Sequence, residues 1–375
     1  MSYALQTLWH ERSRYASGVL AVTFSAVLIA LQCGLLLGLF KITSIPIDNT
    51  RADVWVGSTA VSAVDLGKPI PTSYLTRVAG MPGVTSVEPY IGNFANFTKP
   101  VGGTEMCFVL GSRTDPDSAG AAGVLTHEQL DLLTMPDSII VDVSELERLG
   151  LDQPGGKPKI NGKEVKLVGT VRGLRSIAAP WIFCSLHTAR HLVGPLLPAD
   201  HVTYFLARTD TPERATQIAA ELRAQYGSDM GAYTNTEFSY KSRKYWLFRT
   251  KAGIAIGYAA LLGLLVGSVI TAQTLYSATT ASAREFAILL ALGIPRWRIS
   301  VMVMAQSFWV GLAGVVLACP TCLVLQQAAR QVGAEVDLRW QVMVGTVVVT
   351  IGMALVSGVA ALRSVRQIEP MSLLR

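Results

Sequence analysis

The chain has 375 residues, half of them hydrophobic and only 15% charged, with a mean hydropathy of +0.40 and a net charge of +6. An average soluble domain carries about 25% charged residues, so the deficit argues against a purely soluble enzyme, and the composition excludes a disordered chain. The positive balance does not mark a nucleic-acid binder, because the basic residues are scattered and form no tract able to follow phosphates.

In chain order, residues 1–14 come first, an amphipathic stretch in which Leu5, Leu8 and Trp9, with Tyr15 just beyond, sit beside His10, Glu11, Arg12 and Arg14. Four windows then lack Asp, Glu, Lys and Arg altogether: residues 15–40, 252–283, 299–329 and 340–362. Crossing about 30 Å of hydrocarbon takes roughly 20 helical residues, and each window is long enough. They predict four membrane helices over 15–40, 251–277, 299–325 and 341–362. The first is too long for a signal-peptide core, and no small-x-small cleavage site precedes Lys41, so it is expected to be retained.

Residues 41–250 have ordinary polar composition and are numerous enough for a core of their own, which predicts a folded domain on one membrane face. Short alternating or β-branched runs predict strands at 52–56, 84–90, 106–110, 138–143, 165–171 and 202–207. Helices are expected at 72–79 and 211–226, the second with Thr211 as cap, Pro212 in the first turn and a stripe of Ala215, Ile218, Ala219, Leu222 and Tyr226. Met81-Pro82-Gly83 reads as a turn, and residues 152–159 as a loop. The fold class is therefore an α-helical membrane protein with a mixed α+β domain inserted between helices 1 and 2. Cys107 and Cys184 could pair in an oxidising compartment, but each sits in a strand-like apolar run that favours a small buried hydrophobe. Cys319-Pro-Thr-Cys322 has redox spacing, yet falls inside a membrane window, where a proline-bent helix is the simpler reading.

Four crossings place both termini on one side. Arg12, Arg14, Arg284, Arg296, Arg298, Arg363, Arg366 and Arg375 favour the cytoplasm for that side, although Lys241, Arg243, Lys244, Arg249 and Lys251 crowd the opposite one.

Motifs for chemistry are missing from the sequence. Gly150 to Lys157 has Gly156 where a phosphate-cradling loop needs lysine, and His127-Glu128 lacks the second histidine of a zinc-protease helix. There is no G-x-S-x-G elbow and no metal-spaced cluster among the five histidines. No catalytic residue, metal or cofactor is expected of this chain. The spans also lack the buried charges of ion relays. They carry instead Gly34-x-x-x-Gly38, Gly253-x-x-x-Gly257 and Gly263-x-x-x-Gly267, spacings that permit close helix approach.

The most informative stretch is the 278–298 loop. Ala283-Arg-Glu-Phe-Ala-Ile-Leu-Leu-Ala-Leu-Gly293 predicts a short helix closed by Gly293 in a left-handed cap, with Pro295 preventing continuation. Phe286, Ile288, Leu289 and Leu292 are too apolar for a free loop, so this helix should lie along the membrane or in a partner's groove.

One helix, a large inserted domain and three further helices resemble the MacB/FtsX class of ABC transporter permeases, and within it the DevC-type branch of heterocyst glycolipid exporters. The resemblance is carried by Leu5-Gln-Thr-Leu-Trp-His-Glu-Arg-Ser-Arg14, Gln32-Cys-Gly-Leu-Leu-Leu-Gly-Leu-Phe40, Ala52-Asp-Val-Trp-Val56, Arg284-Glu-Phe-Ala-Ile-Leu-Leu-Ala-Leu-Gly293 and Arg366-Gln-Ile-Glu-Pro-Met-Ser-Leu-Leu-Arg375. It implies a non-catalytic permease subunit in the bacterial inner membrane, with both termini cytoplasmic and the 41–250 domain extracytoplasmic. In that frame 326–340 is a short extracytoplasmic loop and 363–375 a cytoplasmic tail. The 278–298 loop becomes a coupling helix seated on a separate ABC ATPase that binds MgATP. The further partners implied are a second permease copy, a periplasmic adaptor, an outer-membrane duct and the lipid bilayer. The cargo implied is hydrophobic or amphiphilic, such as a glycolipid. Leu290 stands where the family commonly has a basic residue, which shifts docking onto Arg284, Glu285, Arg296 and Arg298. The same topology also serves FtsX-like signalling proteins that activate an extracellular partner and transport nothing.

Overall fold

The computed structural model describes residues 12–120, 123–152, 155–176, 179–281, 288, 292–331 and 336–366. Its seven main helices are α1 (Arg12–Thr43), α2 (Leu186–Val193), α3 (Pro212–Tyr226), α4 (Asn235–Arg249), α5 (Lys251–Ala281), α6 (Arg296–Gln331) and α7 (Trp340–Arg366). The chain divides into two compact units, one of residues 1–38 with 251–375 and one of residues 39–250.

The first unit contains the apolar helices. Four segments are long and apolar enough to cross a membrane: Ala16–Thr43, Lys251–Thr274, Trp297–Ala329 and Trp340–Val359. The first and third run a few residues past the expected ends at 40 and 325. Lys41 is not a barrier to a helix, and the run from Leu323 to Ala329 has no breaker. Pro320 lies inside α6, which continues through it to Gln331.

Packing among these helices rests on small residues. The Ser25 hydroxyl on α1 donates to the Gly267 carbonyl on α5 at 3.0 Å, and Thr271 Oγ1 donates to Ser25 Oγ at 3.2 Å. A Cβ at Gly263 would stand 3.2 Å from Gln32 and 3.3 Å from Leu28. On α6, Thr23 Oγ1 reaches the Gly314 carbonyl at 3.2 Å, and Val22, Val310 and Ala354 form a buried knot. Outward-facing Tyr258, Leu261, Leu262, Leu265 and Val269 of α5 are exposed, as expected where lipid is the solvent.

The second unit is a mixed sheet covered on both faces. Its main strands are β1 (Val54–Gly57), β2 (Val84–Thr98), β3 (Thr104–Ser112), β4 (Ser138–Asp142), β5 (Lys166–Val171), β6 (Trp181–Ser185), β7 (Tyr204–Thr209) and β8 (Gly231–Thr234). They lie in the order β8-β1-β7-β2-β3-β6-β4-β5. The β3–β6 and β4–β5 pairs are parallel and the other neighbours antiparallel. Alternation along each strand sorts its side chains between two layers. Val54 and Val56 join Ala215, Ile218, Ala219 and Leu222 of α3, whereas Trp55 turns to the opposite face. There Trp55 meets Tyr90, Tyr204 and Phe238, each at a ring-centroid distance of 5.4 Å. Cys107, Val109, Ile182 and Cys184 pack in one cluster with Ala189 and Leu192 of α2.

Several local expectations meet their physical reasons here. Gly83 takes φ +94°, and Val84 N–H donates to the Met81 carbonyl at 3.2 Å, closing the turn. The helix after Thr211 starts at Pro212, but the Thr211 side chain makes no capping bond; Asp210 Oδ1 instead accepts the Thr211 N–H at 2.8 Å. Cys107 and Cys184 are both free and buried. The parallel register sets Gly111 opposite Cys184, four residues beyond Cys107, which is about 13 Å along the strand and too far for a bridge. Burial pushes the Cys107 thiol up to about 12 and the Cys184 thiol higher still, so both act as small apolar side chains.

The close approach at Gly314 is testable. An added Cβ would meet Val22 Cγ1 at 2.6 Å, whereas Gly345 on α7 has nothing within 4 Å. Gly314→Ala should destabilise the chain by about 1–3 kcal/mol. Gly345→Ala should be neutral or stabilising by up to about 1 kcal/mol. Thermal unfolding in detergent micelles measures both.

Candidate functional site

The domain has two covalent ends, the end of α1 with the segment 44–52 that follows it, and α4 running towards α5. Both belong to its core. Ile42, Ile45 and Ile47 are buried with Phe238 of α4. Helix α4 is nucleated by a reciprocal cap, Thr234 Oγ1 accepting from Glu237 N–H at 3.2 Å and Glu237 Oε2 from Thr234 N–H at 3.0 Å.

From that helix a row of polar side chains reaches the segment after α1. Asn235 Nδ2 donates to the Ile47 carbonyl at 2.9 Å and the Ala52 carbonyl at 3.2 Å. Ser242 Oγ donates to the Thr43 carbonyl at 3.1 Å, satisfying an acceptor that a helix end leaves open. Arg243 donates to Ser44 Oγ at 2.9 Å and to Asp48 Oδ2 at 2.6 Å, and Ser44 Oγ donates to the same Asp48 oxygen at 2.6 Å. Trp246 Nε1 donates to Asp65 Oδ1 at 3.2 Å. These bonds make one clasp of the two ends.

Asp65 is the odd member. It is only 8% exposed, and among the described residues no Lys, Arg or His pairs with it. Burial raises its pKa above the ordinary aspartate value, with hydrogen bonds from the Trp246 indole and from its own backbone N–H opposing. The neutral form is thus favoured by folding, and the folded state binds protons the unfolded state does not.

Of the residues expected at the coupling loop, Arg284, Glu285, Phe286 and Leu289 lie outside the described residues. Gly293 has φ +84°, the left-handed conformation of a helix-closing glycine. Arg296 begins α6, and the Arg298 guanidinium lies 5.5 Å from the Trp297 ring centre. Ile288, Leu292 and Trp297 are exposed apolar residues on this stretch. Among the glycines, Gly263 and Gly267 lie against α1. Gly34 accepts a bond from Asp337 N–H at 3.0 Å; Gly38 and Gly253 are buried, and Gly257 is half-buried. The clasp and Asp65 had no mark in the sequence beyond the basic run 241–251, whose acidic partner is almost 200 residues away.

Residues 257–370, close to the last third of the chain, match the family model described as FtsX-like permease C-terminal. No curated protein matches the sequence. Among solved structures, the chain is similar to the periplasmic region of MacB from Actinobacillus actinomycetemcomitans, at 11% identity over 55% of this chain and 97% of that one, with a TM-score of 0.35. It is also similar to the extracellular domain of the ABC-type transporter YknZ from Gram-positive bacteria, at 12% identity over 44% of this chain and 89% of that one, with a TM-score of 0.32.

Two measurements test the site. A double-mutant cycle of Asp48→Ala and Arg243→Ala should return a coupling of about 1 kcal/mol, the upper range for a half-exposed ion pair. Asp65→Asn should raise the unfolding temperature at pH 7. The gain should shrink as pH falls towards the ordinary aspartate value, because wild type then regains the neutral form that the fold prefers. Circular dichroism of the detergent-solubilised chain across pH reads both signs.

Proposed function

We propose that this chain is the permease subunit of an ATP-driven exporter of the MacB/FtsX mechanotransmission type, moving a hydrophobic or amphiphilic cargo outward. The observation that carries the reading is the FtsX-like match over 257–370, which takes in three apolar helices and the 278–298 loop. Permeases of this family work with ABC ATPase subunits. Here a separate ATPase would bind MgATP and close, displacing coupling helices in two copies of the permease. Arg284, Glu285, Phe286, Leu289, Gly293, Arg296 and Arg298 are the residues assigned to that contact.

The clasp supports a mechanical role for the inserted domain. A displacement delivered along α1 or through α4 reaches a base whose two ends are bonded to each other, so the domain is driven as one body. An α-helix with a satisfied hydrogen-bond ladder is stiff enough to pass such motion on. Charge-free spans suit a lever, which needs packing and no aqueous path. In this reading both termini are cytoplasmic, the membrane is the bacterial inner membrane, and the domain works on an adaptor and an outer-membrane duct. Kinship with DevC-type permeases points to a glycolipid-like cargo.

The experiment is co-purification with the ATPase subunit, followed by turnover in proteoliposomes. Replacing Arg284 and Glu285 together by alanine should lower permease-stimulated ATP hydrolysis by about 5- to 150-fold, the range of ordinary coupling energies. Unchanged assembly and turnover would overturn the coupling assignment. Stimulated hydrolysis with no outward movement of any amphiphile would replace export by FtsX-like signalling.

A further inference from the structure

The clasp fixes the level at which α4 runs. Of the segments able to cross a membrane, the first ends at Thr43 and the second begins at Lys251. Ser242 donates to the Thr43 carbonyl and Arg243 to Ser44 Oγ, so this turn of α4 stands at the end of the first span. Thr250, where α4 stops, directly precedes the second span. The last two turns of α4, about 12 Å long, are therefore tied at both ends to the edge of the hydrocarbon. The polar layer beyond that edge is only about 5–8 Å deep, and this part of the helix runs in it.

The side chains at that level are charged and unanswered. Tyr240, Lys244 and Phe248 repeat at helical spacing on the face opposite Phe238 and Ser242, and all three are exposed, Phe248 at 63%. Arg249 is exposed beside Phe248, as is Lys41, two residues before Thr43. Among the described residues, Lys41, Lys244 and Arg249 have no ion-pair partner. The acids nearby are taken: Asp48 pairs with Arg243, Glu237 with Arg223, and Asp65 is buried against the Trp246 indole. A soluble protein would have to displace headgroups to reach these cations, whereas lipid is already there. A zwitterionic headgroup brings its own ammonium with its phosphate; an anionic one does not, and each Lys or Arg near such a surface favours binding by about 5-fold. We propose that Lys41, Lys244 and Arg249 dock anionic phospholipid headgroups of the leaflet next to the domain, with the Phe248 ring inserted among the upper acyl carbons. The inference rests on the apolar spans and not on the permease reading; loss of ATPase coupling or of transport leaves it standing.

The test uses the full chain with the photoreactive residue p-benzoylphenylalanine in place of Phe248. It is embedded in nanodiscs of equal parts phosphatidylglycerol and phosphatidylcholine with the same acyl chains, irradiated, and its adducts are weighed by mass spectrometry. Phosphatidylglycerol adducts should exceed phosphatidylcholine adducts by about 5-fold or more. With Lys41→Gln, Lys244→Gln and Arg249→Gln together, the excess should fall to about 2-fold or less. The charge-keeping set Lys41→Arg, Lys244→Arg and Arg249→Lys should preserve it, which separates loss of charge from disturbance of the helix. Equal yields, adducts to no lipid, an excess that survives the glutamines, or one that is lost with the charge-keeping set each overturn the proposal.

Discussion

An inserted domain must return its chain to the membrane that it left, and the contacts that fix its two ends fix everything built between them. Here that work falls to Asn235, Ser242 and Arg243, whose side chains bond the Ile47 and Ala52 carbonyls, the Thr43 carbonyl, and the Ser44–Asp48 pair respectively. The Ser242 bond satisfies a carbonyl that the end of α1 would otherwise hand to water. Because the bonds are made to backbone as much as to side chains, they hold the path of residues 43–52 and not only its position. Ile42, Ile45 and Ile47 can then face the core with Phe238, and Trp55 can enter the sheet with Tyr90 and Tyr204 around it.

Much of this fold is legible in the sequence because the sheet is buried on both faces. Strands such as Val54–Gly57 and Ser138–Asp142 read as short apolar runs, and the α3 stripe repeats at helical spacing. The long β2–β3 hairpin is less legible. Expectation placed strands at 84–90 and 106–110, whereas the ladder runs from Ile91 opposite Gly111 to Thr98 opposite Thr104. Gly92, Asn93 and Asn96 look like turn residues, but Asn96 N–H finds Asn161 Oδ1 at 3.0 Å, and Gly92 makes room for the Phe108 ring. The clasp is illegible for a different reason. Lys241 and Arg243 read as part of a basic run bearing on membrane orientation, yet Lys241 sits 4.1 Å from the Tyr233 ring centre and Arg243 pairs with Asp48. Partners so distant in sequence leave no periodicity to read.

Within the membrane unit, spacing of glycines is a coarser guide than the shape of what faces them. Gly263 and Gly267 meet α1 at Leu28, Gln32 and Ser25. Gly311, Gly314 and Gly358 fall outside any four-residue glycine repeat and make equally tight contacts, with Ala354, Val22 and Ser307. What they share is a neighbour whose first side-chain atoms lie where a Cβ would be, often with a hydroxyl close enough to use the exposed carbonyl, as Ser25 and Thr23 do. Without a hydrophobic drive between helices in lipid, such contacts supply the packing that the spans otherwise lack.

A narrow cleft lined by Leu39, Ile42, Phe94, Phe108 and Trp181 shares side chains with the clasp, and this ties electrostatics to geometry at the base of the domain. Trp246 lines the cleft and also holds Asp65 from α4, while Thr43 lines it and receives the Ser242 bond through its carbonyl. A change in the charge on Asp65 alters the strength of the Trp246 bond, since a carboxylate accepts from an indole more strongly than a neutral acid does. Protonation of that carboxylate therefore acts on one of the bonds that join α4 to the rest of the base. A structural carboxylate placed merely to hold an indole could be replaced by an amide with no loss of that bond. An acid at this position, deep in an aromatic wall, gives the base of this domain a sensitivity to protonation that packing alone does not require.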